Sequence, residues 1–312
     1  MLKRTMTAIA GMFLVVLFLS NTTTVKAADE AAGRSITIIP PSFELYANPG
    51  ESITQKLRVR NDATEAGKYT VMAEDFKAVG ESGSVDLVDD QQATTSFSLS
   101  KWVVAEPKSF TLAAGEEKEI PFSINVPKDA EPGGHYCSIL IKLGGDTPVE
   151  SGAVVASRVG SLVLLRVSGN VNEDAVVESF KASKDYYPKS PVDFELRVKN
   201  NGNNHIKPVG TIVITNIFGQ KVAELPIEGL NVLPDAIRKM NTQWKFTSFL
   251  ANRYTATLVA TYGQQNKSLS ATTSFYVFPK FVGIILGVIV LLVIVLLASR
   301  KQIKKALHNL TK

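Results

Sequence analysis

The sequence predicts an all-β chain, two tandem β-sandwiches followed by one transmembrane α-helix. Three observations carry that prediction. Between residues 35 and 278 apolar and polar residues alternate with period two in many short runs, and helical periodicity is almost absent. The runs are separated by segments with turn chemistry: Asn48-Pro49-Gly50, Ala114-Gly115-Glu116, Pro132-Gly133-Gly134 and Asn200-Asn201-Gly202. Phe281 to Ala298 then form 18 consecutive residues without a charge, followed at once by Arg300, Lys301, Lys304 and Lys305.

The first element is a secretory leader over residues 1–27. Lys3 and Arg4 precede an apolar run from Ala8 to Leu19, and Val25-Lys26-Ala27 places small residues three apart at a cleavage site. No Cys lies near residue 28, so the new N-terminus carries no lipidation signal. Residues 28–34 are a short linker.

The first sandwich spans residues 35–169. Leu57 and Val59 alternate with Lys56, Arg58 and Arg60; Tyr69, Val71 and Ala73 alternate with Lys68, Thr70 and Met72. Ile120, Phe122, Ile124 and Val126 repeat the pattern ahead of Pro127. Such alternation sets one face on a core and the other in water. Leu162 to Val167 is a nearly continuous apolar run, suited to a strand buried on both faces. Residues 168–175 are polar and read as a linker.

The second sandwich spans residues 176–278 and opens like the first. In each, an apolar strand runs into an Asn-initiated turn, at Val59-Arg60-Asn61 and at Val198-Lys199-Asn200. This internal repeat predicts two immunoglobulin-like units.

The transmembrane helix covers residues 281–298. At about 1.5 Å per residue it spans roughly 27 Å, close to a hydrocarbon core of about 30 Å. Residues 299–312 form a basic cytoplasmic tail, because Lys and Arg accumulate on the cytoplasmic side. Everything before residue 280 is then outside the cell. Tyr276, Phe278 and Phe281 are placed as an aromatic belt, and Gly283 with Gly287 makes a Gly-x-x-x-Gly pair that permits helix dimerisation. In the tail, Ile303, Leu307 and Leu310 lie at helical spacing opposite its lysines, which fits an amphipathic segment on the inner leaflet.

Partitioned charge excludes one class of function. The leader contributes three of the 34 basic residues, the tail five and Lys280 one, which leaves 25 against all 29 acidic residues in the ectodomain, a net charge of −4. Nucleic-acid recognition, which needs Lys and Arg clustered on one face, has no support in such a segment. Cysteine usage fits a bacterial surface better than an animal one: an animal ectodomain of this size commonly carries disulfides, and here Cys137 stands alone in the apolar run His135 to Ile141. A buried, inert thiol is expected there.

Particular residues resemble a known family. Pro40-Pro41-Ser42-Phe43-Glu44-Leu45, Pro49-Gly50-Glu51-Ser52 and Leu57-Arg58-Val59-Arg60-Asn61 open the first sandwich. Phe110 to Glu116 and Val126 to Gly134 continue the pattern. Together they resemble the N-terminal domain of WxL-interacting proteins. Val232-Leu233-Pro234-Asp235 and Asn252 to Ala256 resemble that family's second domain more loosely. The resemblance implies two immunoglobulin-like domains, a membrane helix and a basic tail. It further implies attachment rather than catalysis, with peptidoglycan as ligand of the first domain and a protein partner for the second. It carries no defined set of ligand-binding residues onto this chain.

The search for chemistry returns no catalytic, cofactor-binding or metal-ligating set. His135, His205 and His308 lie in different segments, no Gly-x-Ser-x-Gly elbow or phosphate loop occurs, and Cys137 lacks a His/Asn setting. Asp86, Asp89 and Asp90 with Glu81 form the densest acidic loop, without the Gly-spaced pattern of a calcium site. Trp102 and Trp244 are expected in packed positions, with an exposed stacking platform as the alternative; Tyr186 and Tyr187 read in the same way. The leading expectation is a non-enzymatic surface protein binding wall glycan or another surface protein. A carbohydrate-binding module requires exposed coplanar aromatics. A membrane-tethered assembly chaperone requires a long open strand edge near residues 110–126 or 153–167.

Overall fold

The structure, a computed structural model, describes residues 36–88, 96–144, 158–246 and 251–310. The predicted leader and the linker over residues 28–34 lie outside the described residues. The described chain is all-β with immunoglobulin-like sandwich architecture, closed by one C-terminal apolar helix.

Four sheets stack as two pairs. In the N-terminal pair, β1 (Ile36–Ile39), β3 (Ser52–Asn61), β8 (Glu117–Asn125) and β6 (Val103–Ala105) form one sheet in the order β1-β3-β8-β6. The facing sheet holds β2 (Ser42–Ala47), β10 (Arg158–Val167), β9 (Gly133–Leu143), β4 (Gly67–Val79) and β5 (Ser84–Val88) in that order, with β7 (Ser109–Leu112) also on β4. In the C-terminal pair, β11 (Ala175–Ala182), β13 (Val192–Asn200) and β16 (Ile237–Trp244) face a sheet ordered β12-β18-β17-β14-β15. Those five strands are β12 (Tyr186–Tyr187), β14 (Val209–Thr215), β15 (Lys221–Pro226), β17 (Asn252–Tyr262) and β18 (Lys267–Val277).

Each pair uses the same two devices. Its opening segment leaves the first sheet and runs parallel to the last strand of the second: β2 beside β10, and β12 beside β18. Each also ends a core strand on a fully buried Asn. The Asn61 side-chain amide donates to the carbonyls of Glu65 (2.8 Å) and Ala113 (3.0 Å), and Asn200 donates to those of Asn204 (2.8 Å) and Val232 (2.9 Å). Both oxygens accept an N–H two residues on, from Ala63 and Gly202. The repeat read from the two Asn turns is therefore a repeat of hydrogen bonding.

The predicted alternation becomes two separate cores. Leu57, Val59, Ile120, Phe122 and Ile124 meet Ile139, Ile141, Val163 and Leu165 in the first. Phe194, Leu196, Ile214, Leu258 and Phe275 build the second. Each such side chain removed from water stabilises the fold by roughly 1.5–3 kcal/mol. The continuous apolar run of β10 is buried as expected, between β9 and β2.

The helix α1 (Lys280–Leu310) starts three residues after β18 and runs 31 residues, beyond the predicted span of 281–298. Its apolar side chains from Ile284 to Leu297 are exposed, with no other described residue covering them. Among the described residues it is the one helix long and apolar enough to cross a membrane.

Candidate functional site: the joint between the sheet pairs

The residues with the most specialised environments converge where the two sheet pairs meet. The β4–β5 hairpin of the first pair reaches across to the edge of the second. Its tip, Gly80 to Gly83, needs left-handed backbone at both glycines, with φ of 61° and 85°. At the tip the Glu81 carboxylate accepts two bonds from the Arg197 guanidinium of β13, one at 2.7 Å from Nε. The Glu81 carbonyl accepts the Lys239 N–H of β16 at 2.8 Å. The Arg238 guanidinium packs against Gly83, where a Cβ would sit 1.0 Å from one of its nitrogens. Only glycine permits that approach.

A second contact runs through β9. The Tyr136 hydroxyl accepts the His205 backbone N–H at 2.7 Å, deep in an apolar patch of Phe76, Leu164 and Leu233. Burial pushes the Tyr136 hydroxyl pKa up and holds the His205 imidazole neutral, its pKa lowered to about 4. Nearby, Glu44 of β2 accepts bonds from Asn231 (2.7 Å) and Lys207 (3.1 Å), and these hold its carboxyl below the usual range.

The third contact lies in the segment read from sequence as a polar linker. Glu173 is 5 % exposed. Its carboxylate takes Arg166 Nη1 at 2.6 Å from the end of β10 and the Gln264 N–H at 3.0 Å from the β17–β18 turn. Its carbonyl takes the Lys267 ammonium. Beside it, Gly134 N–H donates to the Asn203 carbonyl at 2.8 Å and the Asn203 amide donates to Pro132 O at 2.9 Å. Within the expected linker, Glu173 is thus buried and charge-paired, because it finds partners that sequence proximity does not reveal.

Between these contacts lies a cavity of about 230 Å³, walled by Phe76, Val85, Leu162 and Leu164 on one side and by Val232, Leu233 and Arg238 on the other. Arg238 Nε and Asn231 Oδ1 are buried there without a hydrogen-bond partner among the described residues. The arrangement suits binding of an apolar group that carries an acceptor; it holds no nucleophile beside a base.

The remaining sequence candidates fall elsewhere. Cys137 is fully buried, its thiol pKa pushed up by desolvation, as expected of an inert core thiol. Both ring nitrogens of His135 face carbonyl oxygens, of Ser98 and Glu131. Trp102 is half-buried on a short 3-10 turn, its ring 4.4 Å from that of His135, and Trp244 is buried among Phe246, Tyr254 and Phe275. Tyr187 is buried and Tyr186 exposed. Asp86 lies in β5; Asp89 and Asp90 lie outside the described residues. Among the described residues no three His, Cys, Asp or Glu side chains come together. Gly283 and Gly287 both sit on the outward surface of α1. Sequence reading placed Glu81 in an acidic loop without its Arg197 partner and missed Glu173, Arg197 and Arg238, although the paired glycines at 80 and 83 signal a close approach of another chain segment.

No protein-family model and no curated protein matches the chain. Among solved structures it is similar to the class 5 fimbriae chaperone CfaA, at 14 % identity and a TM-score of 0.40, over 77 % of this chain and 99 % of that one. It is also similar to the E. coli chaperone DraB, at 10 % identity and 0.34, over 79 % and 97 %. A PapD-like domain of human CEP192 aligns at 16 % identity and 0.32, over 48 % and 96 %. These likenesses concern the fold and transfer no function.

Proposed function

We propose that this chain is a non-enzymatic, single-pass surface protein that attaches to cell-wall glycan or another surface protein through its sandwich ectodomain, with α1 in the cell membrane and the basic tail in the cytoplasm. The observation that carries the reading is α1 itself: it leaves β18 through Phe278 and Pro279 and presents apolar side chains, from Ile284 to Leu297, that no other described residue covers. The joint adds that the first sandwich is held in a fixed pose relative to the second, as a binding head on a short stalk requires. The resemblance to WxL-interacting proteins implies the same role. A protein partner is favoured over a glycan, because Trp244 is buried among its own neighbours and Trp102 is half-buried against His135.

A membrane-tethered chaperone is the second reading, and one observation favours it. Among the described residues the first four of β10, Arg158–Ser161, pair with β9 alone, while β2 covers only Leu162–Val167. A partner strand can add there. In β8 the open stretch carries Glu117, Lys118 and Glu119, charges that discourage strand addition.

Full-length protein in nanodiscs, incubated with purified cell wall and separately with extracted surface proteins, tests the proposal. Retention by either is expected, and digestion of the wall assigns the glycan arm. Retention by neither overturns it.

A further inference from the structure

The end of the second sandwich that faces away from the joint has a composition of its own. Strand β14 stops at Thr215, opposite Thr255, and β17 starts at Asn252, opposite Val277 of β18. The β14–β15 turn and the start of α1 therefore leave the sheet at the same end. At about 3.3 Å per residue, Ile217 and Phe218 in that turn reach the level of Tyr276 and Val277, roughly 10 Å short of Lys280. Among the described residues they are the most exposed large apolar side chains outside α1, at 63 % and 77 %. The turn is not loose: Asn216 Oδ1 accepts the N–H of Phe218 (2.9 Å) and of Gln220 (3.0 Å), which holds the two apolar side chains outward.

The rest of this end is of the same kind. Tyr186 and Tyr276 are half-exposed, and Tyr186 donates to the Phe278 carbonyl at 2.9 Å, which ties the sheet to the root of α1. Arg253 lies over the Tyr276 ring at 6.0 Å. Lys184, Lys189, Lys245 and Lys280 are exposed around them, with Asp185 as the acid between. Apolar tips, amphipathic aromatics and cations on one surface match a bilayer interface with anionic headgroups, and α1 keeps that surface within reach of one.

We propose that the Ile217–Phe218 turn is a second membrane contact, which inserts into the outer leaflet of the bilayer that α1 spans and seats the second sandwich on the headgroups. The inference rests on the reading of α1 as a membrane span. With two separated contacts the ectodomain stands at a set angle to the surface instead of swivelling about Phe278–Pro279.

The test uses the full chain with Gln220→Cys carrying an environment-sensitive fluorophore; Cys137 is buried and does not label. The protein is placed in nanodiscs of equal parts phosphatidylglycerol and phosphatidylcholine. The proposal expects blue-shifted emission, quenched by spin-labelled lipid, and loss of both effects when Ile217→Ser and Phe218→Ser are added. Water-like emission from protein that still enters the nanodiscs overturns the contact and leaves the anchoring reading intact. Failure to enter them at all overturns both. A blue shift that lipid-borne quencher does not touch means that a protein surface covers the turn, and this also overturns the proposal.

Discussion

The two ends of the second sandwich answer opposite demands. At the joint, charged and polar groups are paired across short distances, glycines let backbones close in, and Glu173 and Tyr136 sit dry. At the α1 end, Ile217 and Phe218 stand in the open and Lys184, Lys189 and Lys245 carry charge outward. A surface that meets one fixed partner can specify every hydrogen bond. A surface that meets a fluid medium is served by apolar tips and mobile charge. The contrast predicts that substitutions at the joint cost stability and substitutions at the other end do not.

The largest effect belongs to Gly133. Its φ is 129°, and an added Cβ would lie 2.6 Å from the Asn203 carbonyl oxygen. Gly133→Ala is expected to destabilise by about 2–4 kcal/mol through strain and clash, read from the denaturant midpoint of the full chain in detergent. Wild-type stability in that variant would mean the joint is not packed as described.

Next comes Glu173→Ala, which strands Arg166, only 16 % exposed, without a counter-charge. A loss of about 3 kcal/mol is expected, with Glu173→Gln milder because it keeps an acceptor. Equal losses in the two variants would show that charge plays no part.

Acidification should act on the joint as well. The His205 pKa is lowered in the fold to about 4, so below its unfolded value near 6.5 the unfolded chain takes up a proton that the folded chain refuses. Stability contributed by neutral His205 is complete above that value and falls as pH drops from about 6.5 toward 4, by roughly 1–2 kcal/mol at pH 5 for a partly exposed ring. Thermal melts of wild type and His205→Asn between pH 7 and 5 measure it. The variant should lose the His205 share of the slope; Glu44 and Glu81, held below their usual range, add a decline at lower pH in both.

The smallest effect on stability is expected from Ile217→Ser with Phe218→Ser, within about 0.5 kcal/mol, since neither side chain is packed. A larger loss would mean that the turn supports the fold and erase the contrast.

How much of this was legible beforehand depended on whether the controlling physics is local. The strands around Leu57, Tyr69 and Phe122 announce themselves because alternation is a local consequence of burying one face. The Asn61 and Asn200 turns do so because an Asn bonds its own neighbours. Span α1 is a matter of composition alone. Glu173 gave no such signal: in Val-Asn-Glu-Asp it looks like solvated linker, and its partners at Arg166, Gln264 and Lys267 are brought in by the stacking of two sheets. Arg238 on Gly83 is equally non-local. Ile217 and Phe218 were hidden differently, as two apolar residues inside an Asn-x-x-Gly turn, whose meaning appears only when the register places them beside the root of α1.

The central claim is a sandwich body held outside a membrane by α1, and side-specific thiol labelling tests it most directly. Gln264→Cys in the exposed β17–β18 turn and Lys312→Cys in the tail, each in the full chain on intact bacterial cells, are treated with a membrane-impermeant maleimide. The account predicts that Gln264→Cys labels before lysis and Lys312→Cys only after it. Labelling of the tail on intact cells, or protection of residue 264 until lysis, contradicts the account.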